Sequence, residues 1–246
     1  MNIAVLGSGN GGCAVAFDCA AHGHQVSLFD FEQFPESIKA VQNNGGIHCQ
    51  GILEGFQPVV SAGHEIEKAL DGADIIYAVG PAYSTRPFAE VCKPYLRQGQ
   101  IVIVCPSSCG GSIEFKNGAG LDLRDEDIVV AETSTLPYAV RLLEPGTIKI
   151  FNKLKGGLLL AAVPAQNTNY VLEQVRDVYP AMSAAKNILQ TCLQNGNPVI
   201  HPTITIMYVA LIERTKGDFD FYHEGVTPTV GWLIEAVDKE RIAIGK

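Results

Sequence analysis

The stretch NIAVLGSGNGGCAVAFDCAAHGHQVSLFD, residues 2–30, decides the fold of this chain. It opens with a run of apolar residues, which is typical of a strand buried on both faces of a parallel sheet. Glycines follow at positions 7, 9 and 12, in the G-x-G-x-x-G spacing. In this spacing the first glycine makes a tight turn, the second admits a pyrophosphate, and the third lets helix and strand touch.

The residues after these glycines complete the pattern. CAVAFDCAAHG places small and apolar side chains at helical spacing, and the first N–H groups of such a helix point at an anion. QVSLF then predicts a second strand that ends at Asp30, where an acid can bond the hydroxyls of an adenosine ribose. The predicted dinucleotide-binding residues are Gly7, Ser8, Gly9, Asn10, Gly11, Gly12 and Asp30.

The same stretch favours NAD(H) over NADP(H). The Asp30 carboxylate would repel a 2′-phosphate, because like charges destabilise each other at close range. The segment FEQFPES, which follows Asp30, offers no Arg or Lys to receive that phosphate. The expected cofactor is therefore NAD(H).

The composition narrows the class of protein. A formal net charge of −8 over 246 residues disfavours nucleic acid and anionic membranes as partners. The seven cysteines are odd in number and form no C-x-x-C pair, which predicts reduced thiols and no metal site. The chain has no apolar stretch of membrane-spanning length and no basic leader before the first strand. These features predict a cytoplasmic protein.

Further buried strands, each followed by glycine or proline, occur near residues 75–79 and 101–104. Their alternation with helical segments predicts an α/β fold of the Rossmann type, with a doubly wound, mostly parallel sheet. In such a sheet, ligands lie outside the carboxyl ends of the strands. Gly80, Pro81 and Ala82 are therefore predicted to bind the cofactor, with residues 106–108 beside them.

The pattern changes in the second half of the chain. Residues 128–164 contain four apolar or alternating segments, predicted as strands that extend the same sheet in mixed orientation. The pattern then becomes helical, and Pro198 and Pro202 are expected to break or kink one long helical segment. We expect an NAD-binding domain with extra strands at residues 1–180, and part of a second, α-helical domain for substrate binding and dimerisation at residues 181–246.

Two groups of residues are candidates for chemistry. His201 lies beside the predicted helix break, where an oriented imidazole can act as a general acid; the alternative is a histidine packed in the core. In AETSTLPYAVR, Thr133 can donate to a keto acid or imine and Arg141 can bind a carboxylate. The alternative is a surface turn with a solvated arginine, and these residues alone leave both alternatives open.

Three segments taken together resemble the octopine/nopaline (opine) dehydrogenases. They are GSGNGGCAVAFDCAAHGHQVSLFD, AETSTLPYAVR, and NGNPVIHP followed by FYHEGVTPTVGWLIEAVDKERIAIGK. The resemblance implies an NAD(P)H-dependent reductive condensation of an amino acid with an α-keto acid, such as pyruvate, through an imine. It implies that His201 is the general acid/base and that Glu132 and Thr133 line the substrate pocket. Asn197 and Arg141 are further substrate-binding candidates.

The resemblance also implies a longer polypeptide than the 246 residues of this sequence. Members of the family continue into a helical region that supplies an aspartate for the histidine and an arginine for the substrate. We therefore expect a fragment whose helical domain is truncated, or a short form completed by another subunit. Apolar residues near the end, such as Ile242 and Ile244, favour a homodimer.

Two alternatives to an opine dehydrogenase stay open. One is a ketopantoate-reductase or 2-hydroxyacid-like oxidoreductase, for which Lys186 and Lys216 are the candidate catalytic lysines. The other is an NAD-binding module without catalytic activity.

Overall fold

The computed structural model describes residues 1–245. The chain divides into two compact units, Met1–Thr191 and Cys192–Lys246. This division lies C-terminal to the boundary predicted at 180/181. The assignment of cofactor binding to residues 1–180 and of substrate binding to residues 181–246 stays a prediction.

The first unit alternates strands and helices, as the sequence pattern predicts. Its strands are β1 (Asn2–Leu6), β2 (Gln25–Phe29), β3 (Gly46–Gly51), β4 (Gly55–Pro58), β5 (Ser61–Gly63), β6 (Ile75–Ala78), β7 (Ile101–Val104), β8 (Val129–Thr133), β9 (Tyr138–Glu144), β10 (Thr147–Lys153), β11 (Leu159–Val163) and β12 (Ser183–Ala184). Its helices are α1 (Asn10–Ala21), α2 (Pro35–Asn44), α3 (Ile66–Leu70), α4 (Thr85–Cys92), α5 (Gly111–Ala119) and α6 (Thr168–Val175).

The larger sheet has eight strands in the order β12-β11-β8-β7-β6-β1-β2-β5. All its pairs are parallel except β8 with β11. The chain passes from β1 to β2 on one side and later to β6 on the other, so β1 stands at the topological switch point. Ligands bind at the carboxyl ends of strands at such a point, and the predicted Rossmann-type fold is confirmed.

The prediction that every later strand extends this sheet is wrong for β9 and β10. These strands belong to a second, four-stranded sheet with the order β4-β3-β10-β9. Their inward side chains, including Val140, Ile148 and Ile150, share one buried core with Phe17 of α1. The alternation of apolar residues identified the strands, but packing against α1 decided which sheet they joined.

A buried polar network ties α1 to this second sheet. The Asp18 side chain is fully buried, and its Oδ2 lies 2.7 Å from Lys153 Nζ. Tyr138 Oη donates to the same oxygen at 2.6 Å, and Tyr179 Oη lies 2.8 Å from Tyr138 Oη. A buried carboxylate requires such partners, because an unpaired charge in the interior is strongly destabilising.

The C-terminal part of the chain is helical. Its helices are α7 (Ile188–Gln194), α8 (Asn197–Met207), α9 (Val209–Thr215) and α10 (Pro228–Ile244). The expected break falls before α8, and Pro198 stands in the first turn, where its missing N–H costs no helical hydrogen bond. Pro202 lies inside α8, which continues through it. Thr227 caps α10, and its hydroxyl accepts a hydrogen bond from the Val230 amide.

Candidate functional site

The glycine turn between β1 and α1 is built for close approach of backbone to backbone. Gly7 has φ +105°, and a Cβ there would lie 2.1 Å from the Val79 carbonyl oxygen. A Cβ on Gly12 would lie 1.8 Å from the Gly7 carbonyl oxygen, whereas a Cβ on Gly9 would meet nothing within 4 Å. Gly7 and Gly12 therefore close the turn, and Gly9 leaves space beside the backbone for a pyrophosphate.

The N-terminus of α1 offers uncapped donors at this turn. Gly9 provides no side-chain cap, and the first turn of α1 contains no acidic residue. The side chain of Asn10 accepts a hydrogen bond from the Leu142 amide at 2.5 Å, so it does not cap the helix either. The free N–H groups and the helix dipole together attract an anion.

Asp30 organises the turn from the end of β2. Its Oδ2 accepts hydrogen bonds from the amide and the hydroxyl of Ser8, both at 2.7 Å, and its Oδ1 accepts one from the Phe31 amide. Burial, with a smaller contribution from the Asp30 charge, raises the pKa of the Cys13 thiol to about 12. Asp30 therefore holds the glycine turn in place and puts a negative charge beside it.

A cavity of about 650 Å³ lies among the segments that follow β1, β2 and β6. This volume is typical of a cofactor pocket. The predicted cofactor residues that line it are Gly7, Ser8, Gly9, Asn10, Gly11, Gly12, Asp30, Gly80 and Pro81. Ala82 does not line the cavity, although Tyr83 and Ser84 of the same one-turn helix, Ala82–Ser84, do. Pro106 lines it, whereas Ser107 is buried and its Oγ accepts from the Gly111 amide.

Sequence reasoning missed several residues that line this cavity. Two are exposed aromatic residues, Phe34 after β2 and Tyr83 after β6. Glu36, in the first turn of α2, adds a second carboxylate to the lining. The rule that ligands lie beyond strand ends could have found these three. Leu136 also lines the cavity, and it lies in the turn after the carboxyl end of β8, so the same rule applies to it.

The two residues predicted to line the substrate pocket, Glu132 and Thr133, are fully buried at the carboxyl end of β8. Glu132 Oε2 accepts from the amide and hydroxyl of Ser112, and Oε1 accepts from the Thr191 hydroxyl at 2.6 Å. The Thr133 hydroxyl makes no hydrogen bond of ordinary geometry within the described residues. It lies near the Cys105 thiol and lowers its pKa, although burial outweighs this effect and raises that pKa to about 12. Their contact with substrate stays a prediction.

Arg141 does not lie at the end of a strand in the large sheet. It stands in the middle of β9, its side chain is exposed, and its Nη1 donates to the Val140 carbonyl at 3.0 Å. Its partner across the ladder is Lys149, another cation. Arg141 does not line the cavity, because β9 belongs to the second sheet, which packs on α1, and not to the large sheet.

His201 lies on α8 and is partly exposed. Its Nε2 lies 2.9 Å from the Tyr222 hydroxyl, and its ring contacts the Phe221 ring edge to face. Asn197 stands one helical turn before it, on the same side of α8. The family resemblance implies a carboxylate partner from a region beyond these residues, and within residues 1–245 the Nε2 atom lies beside the Tyr222 hydroxyl. Its catalytic role stays a prediction.

Residues 1–245 contain no group of three or more His, Cys, Asp or Glu side chains arranged to hold a metal ion. Over the same range, no helix combines the length and the apolar character needed to cross a membrane.

The switch-point cavity, the glycine turn and the strand-terminal acid define a dinucleotide-binding protein of the Rossmann class. Residues 2–107 match the family model described as NAD-dependent glycerol-3-phosphate dehydrogenase N-terminus, and residues 184–246 match that of the NAD/NADP octopine/nopaline dehydrogenase alpha-helical domain. The opine dehydrogenase of Arthrobacter sp. (strain 1C) is 36% identical over 249 residues, which cover 99% of this chain and 67% of the relative. The chain belongs to the opine dehydrogenase family.

Solved structures share this fold. Octopine dehydrogenase with NADH and pyruvate matches with a TM-score of 0.73 at 18% identity, over 85% of this chain and 56% of the other. A ketopantoate reductase from Ralstonia eutropha matches with a TM-score of 0.69 at 18% identity, over 99% of this chain and 74% of the other. The chain thus spans little more than half the length of octopine dehydrogenase.

Proposed function

We propose that this protein is an NADH-dependent opine dehydrogenase, which reductively condenses an amino acid with an α-keto acid through an imine. The observation that carries the proposal is a dinucleotide cavity at the β1 switch point in a chain of the opine dehydrogenase family. The domain roles follow, with cofactor binding in residues 1–180 and substrate binding in residues 181–246.

The residues around the cavity fit the cofactor. The uncapped amides of α1 would hold the pyrophosphate beside Gly9, and Asp30 would bond the adenosine ribose. When bound, NADH supplies the hydride that reduces the imine carbon. The protein's own residues then have to orient the two substrates, exclude water and handle protons.

His201 is the residue that we propose for proton transfer. Condensation of an amine with a keto group expels water, so an acid must protonate the departing oxygen, and a base must deprotonate the ammonium beforehand. An imidazole can perform both steps near neutral pH. We propose that Asn197 and Thr133 donate hydrogen bonds to substrate oxygens, with Glu132 beside Thr133 at the strand end. Arg141 would bind a carboxylate only at a site apart from the cavity.

The test is NADH oxidation by the whole chain with a keto acid, an amino acid, or both. We expect turnover only with both substrates. His201→Ala should abolish turnover while leaving NADH affinity within about twofold of the parent, because the histidine acts on the chemical step. His223→Ala, which removes an exposed histidine of the same unit, is the matched control and should leave turnover unchanged.

The other outcomes decide between the competing functions. Turnover with a keto acid alone would contradict the proposal and favour the ketopantoate-reductase or 2-hydroxyacid type. The candidate lysines for that chemistry, Lys186 and Lys216, are both exposed. NADH binding without turnover under any substrate combination would favour a binding module.

We propose that the cofactor is NAD(H) rather than NADP(H). Asp30 and Glu36 both line the cavity, and none of the lining residues is Lys or Arg. Glu36→Lys should strengthen NADPH binding by about tenfold, since it replaces a repelling charge with an attracting one. NADH affinity, measured by fluorescence titration, should change much less. An equal gain for both cofactors would contradict this assignment.

We propose that the protein acts in the cytoplasm. All seven cysteines are free, and five of them are buried as thiols. Free cysteines without disulfides are typical of a reducing compartment, in which disulfides do not form. Cell fractionation with an antibody against the chain tests this location, and recovery from an oxidising compartment would contradict it.

We also propose that the protein forms a homodimer through its helical unit. α10 carries several exposed apolar side chains, among them Trp232 and Ile244, which are 71% and 75% exposed. Exposed apolar surface of this kind favours association. Light scattering of the purified protein should give twice the chain mass, and a monomer at every concentration would contradict the proposal.

A further inference from the structure

A second cavity, of about 500 Å³, lies in the first unit at the other end of α1. His22, which ends α1, lines this second cavity, whereas Asn10 at the start of the helix lines the dinucleotide cavity. The helix has 12 residues, so its ends are separated by about 18 Å. The two cavities share no lining residue.

The interior of the second cavity is apolar. Its floor consists of buried side chains from the segment before β11 and the segment after α6, including Leu158, Val178, Tyr179 and Met182. Leu53, Leu154 and Ala181 form the walls and are partly exposed. A concave apolar surface of this size binds the carbon body of a small molecule.

Charged groups stand at the rim, and they differ in the partners that they have within the protein. Lys153 Nζ bonds the buried Asp18 carboxylate and the Val178 carbonyl, both at 2.7 Å. Asp177 Oδ2 lies 2.8 Å from His24 Nε2, and this contact is an ion pair when the imidazole is protonated. Lys155 also lines the cavity, is exposed, and forms no ion pair or side-chain hydrogen bond with any residue in the described range.

We propose that this cavity binds a small carboxylate that carries an apolar carbon chain. The chain would rest on the apolar floor, and the carboxylate would pair with Lys155 at the rim. An anion suits the site because Lys155 is the lysine of the lining without a carboxylate partner among the described residues, and a charge-assisted hydrogen bond is stronger than a neutral one. A cation would meet Lys155 as a like charge.

The test is isothermal titration of the whole chain, saturated with NADH, with 4-methylpentanoate. The amide and the amine with the same carbon chain serve as probes without the negative charge. We expect the carboxylate to bind at least about tenfold more tightly than either, as a hydrogen bond to a charged group contributes more than a neutral one. Equal affinity of the three probes would overturn the proposal.

Two variants locate the binding site. Lys155→Glu reverses the rim charge, and Ala181→Phe fills the cavity from its wall; both residues line only the second cavity. Each variant should weaken carboxylate binding by at least about tenfold. Lys68→Ala, at an exposed lysine that lines neither cavity, is the control and should bind like the parent. Unchanged affinity in both cavity variants would overturn the proposal, because the carboxylate would then bind elsewhere.

If Ala181→Phe folds poorly, the test rests on Lys155→Glu, whose folding is checked by circular dichroism. Lys155 is exposed, so Lys155→Glu should leave the unfolding transition of the chain unchanged. Loss of carboxylate binding in that folded variant supports the proposal by itself, and retained binding overturns it by itself.

Discussion

At the scale of single residues, the glycines of the first turn have different structural roles, although they lie within six positions of each other in the sequence. A side chain on Gly12 would collide with the backbone of Gly7, whereas one on Gly9 would meet open space in the protein. Gly12 is therefore needed for the fold of the turn, and Gly9 for the approach of a ligand.

This difference predicts opposite behaviour for two alanine substitutions. Gly12→Ala should lower the free energy of unfolding by about 3 kcal/mol or prevent folding, because overpacking against backbone cannot relax. Gly9→Ala should keep the parent stability within about 0.5 kcal/mol and weaken NADH binding. Urea denaturation and NADH titration of both variants check this. A stable Gly12→Ala protein would contradict the close contact.

The hydrogen bond between His201 and Tyr222 leads to a second prediction at this scale. Tyr222→Phe removes the hydroxyl that lies 2.9 Å from His201 Nε2, so the ring loses one orienting contact. The kcat of the reductive condensation should fall about fivefold, which corresponds to the loss of one hydrogen bond of about 1 kcal/mol. The KM for NADH should not change.

The control for that variant is Tyr170→Phe, at an exposed tyrosine of α6. It should leave kcat at the parent value. If Tyr222→Phe changes the KM for NADH but not kcat, Tyr222 does not position the histidine.

At the scale of elements, an ion pair at a buried carboxylate adds to the apolar contact between α1 and the second sheet. Asp18 of α1 and Lys153 of β10 lie 2.7 Å apart, and the Asp18 side chain is fully buried. α1 presents its glycine turn at one end and this carboxylate near the other, so the pair anchors the helix that carries the cofactor turn.

Removal of the cation should therefore be costly. Lys153→Met leaves the Asp18 charge unpaired in the interior and should lower the free energy of unfolding by about 3 kcal/mol. Addition of Asp18→Asn in the same chain should restore part of this loss, since it removes the unpaired charge and keeps a hydrogen-bonding group beside Tyr138.

Lys149→Met is the matched control, because Lys149 stands on the same strand without a carboxylate partner. It should change stability by about 0.5 kcal/mol at most. Thermal unfolding of these four proteins and of the single Asp18→Asn variant measures these effects, and additivity of the two single changes in the double variant would show that Asp18 and Lys153 do not interact.

At the scale of the whole molecule, buried thiols couple stability to alkaline pH. Burial raises the pKa values of Cys13, Cys92 and Cys105 from 9.0 to about 12. Between pH 9.0 and about pH 12, the unfolded chain loses thiol protons that the folded chain keeps. The free energy of unfolding therefore stays at its full value below about pH 9 and falls as the pH rises towards 12.

The expected slope is about 1.4 kcal/mol per pH unit for each thiol that stays protonated in the folded state. Urea unfolding between pH 8 and about pH 11 checks it. Cys92→Ala should reduce the slope by the contribution of one buried thiol. Cys109→Ala should leave the slope unchanged, because Cys109 is exposed and not buried. A pH-independent stability above pH 9 would contradict the burial of these thiols.

Short-range patterns in the sequence determined the first βαβ unit, the glycine turn, Asp30 and the class of cofactor, because these depend on sterics and periodicity within about thirty residues. The tertiary structure alone decided that β9 and β10 form a second sheet. Arg141 stands on β9 and therefore does not line the cavity. The tertiary structure also joined Asp18 to Lys153. Such pairings depend on contacts between residues far apart in the chain, whose partners are selected by packing against α1 and are not encoded in any local pattern.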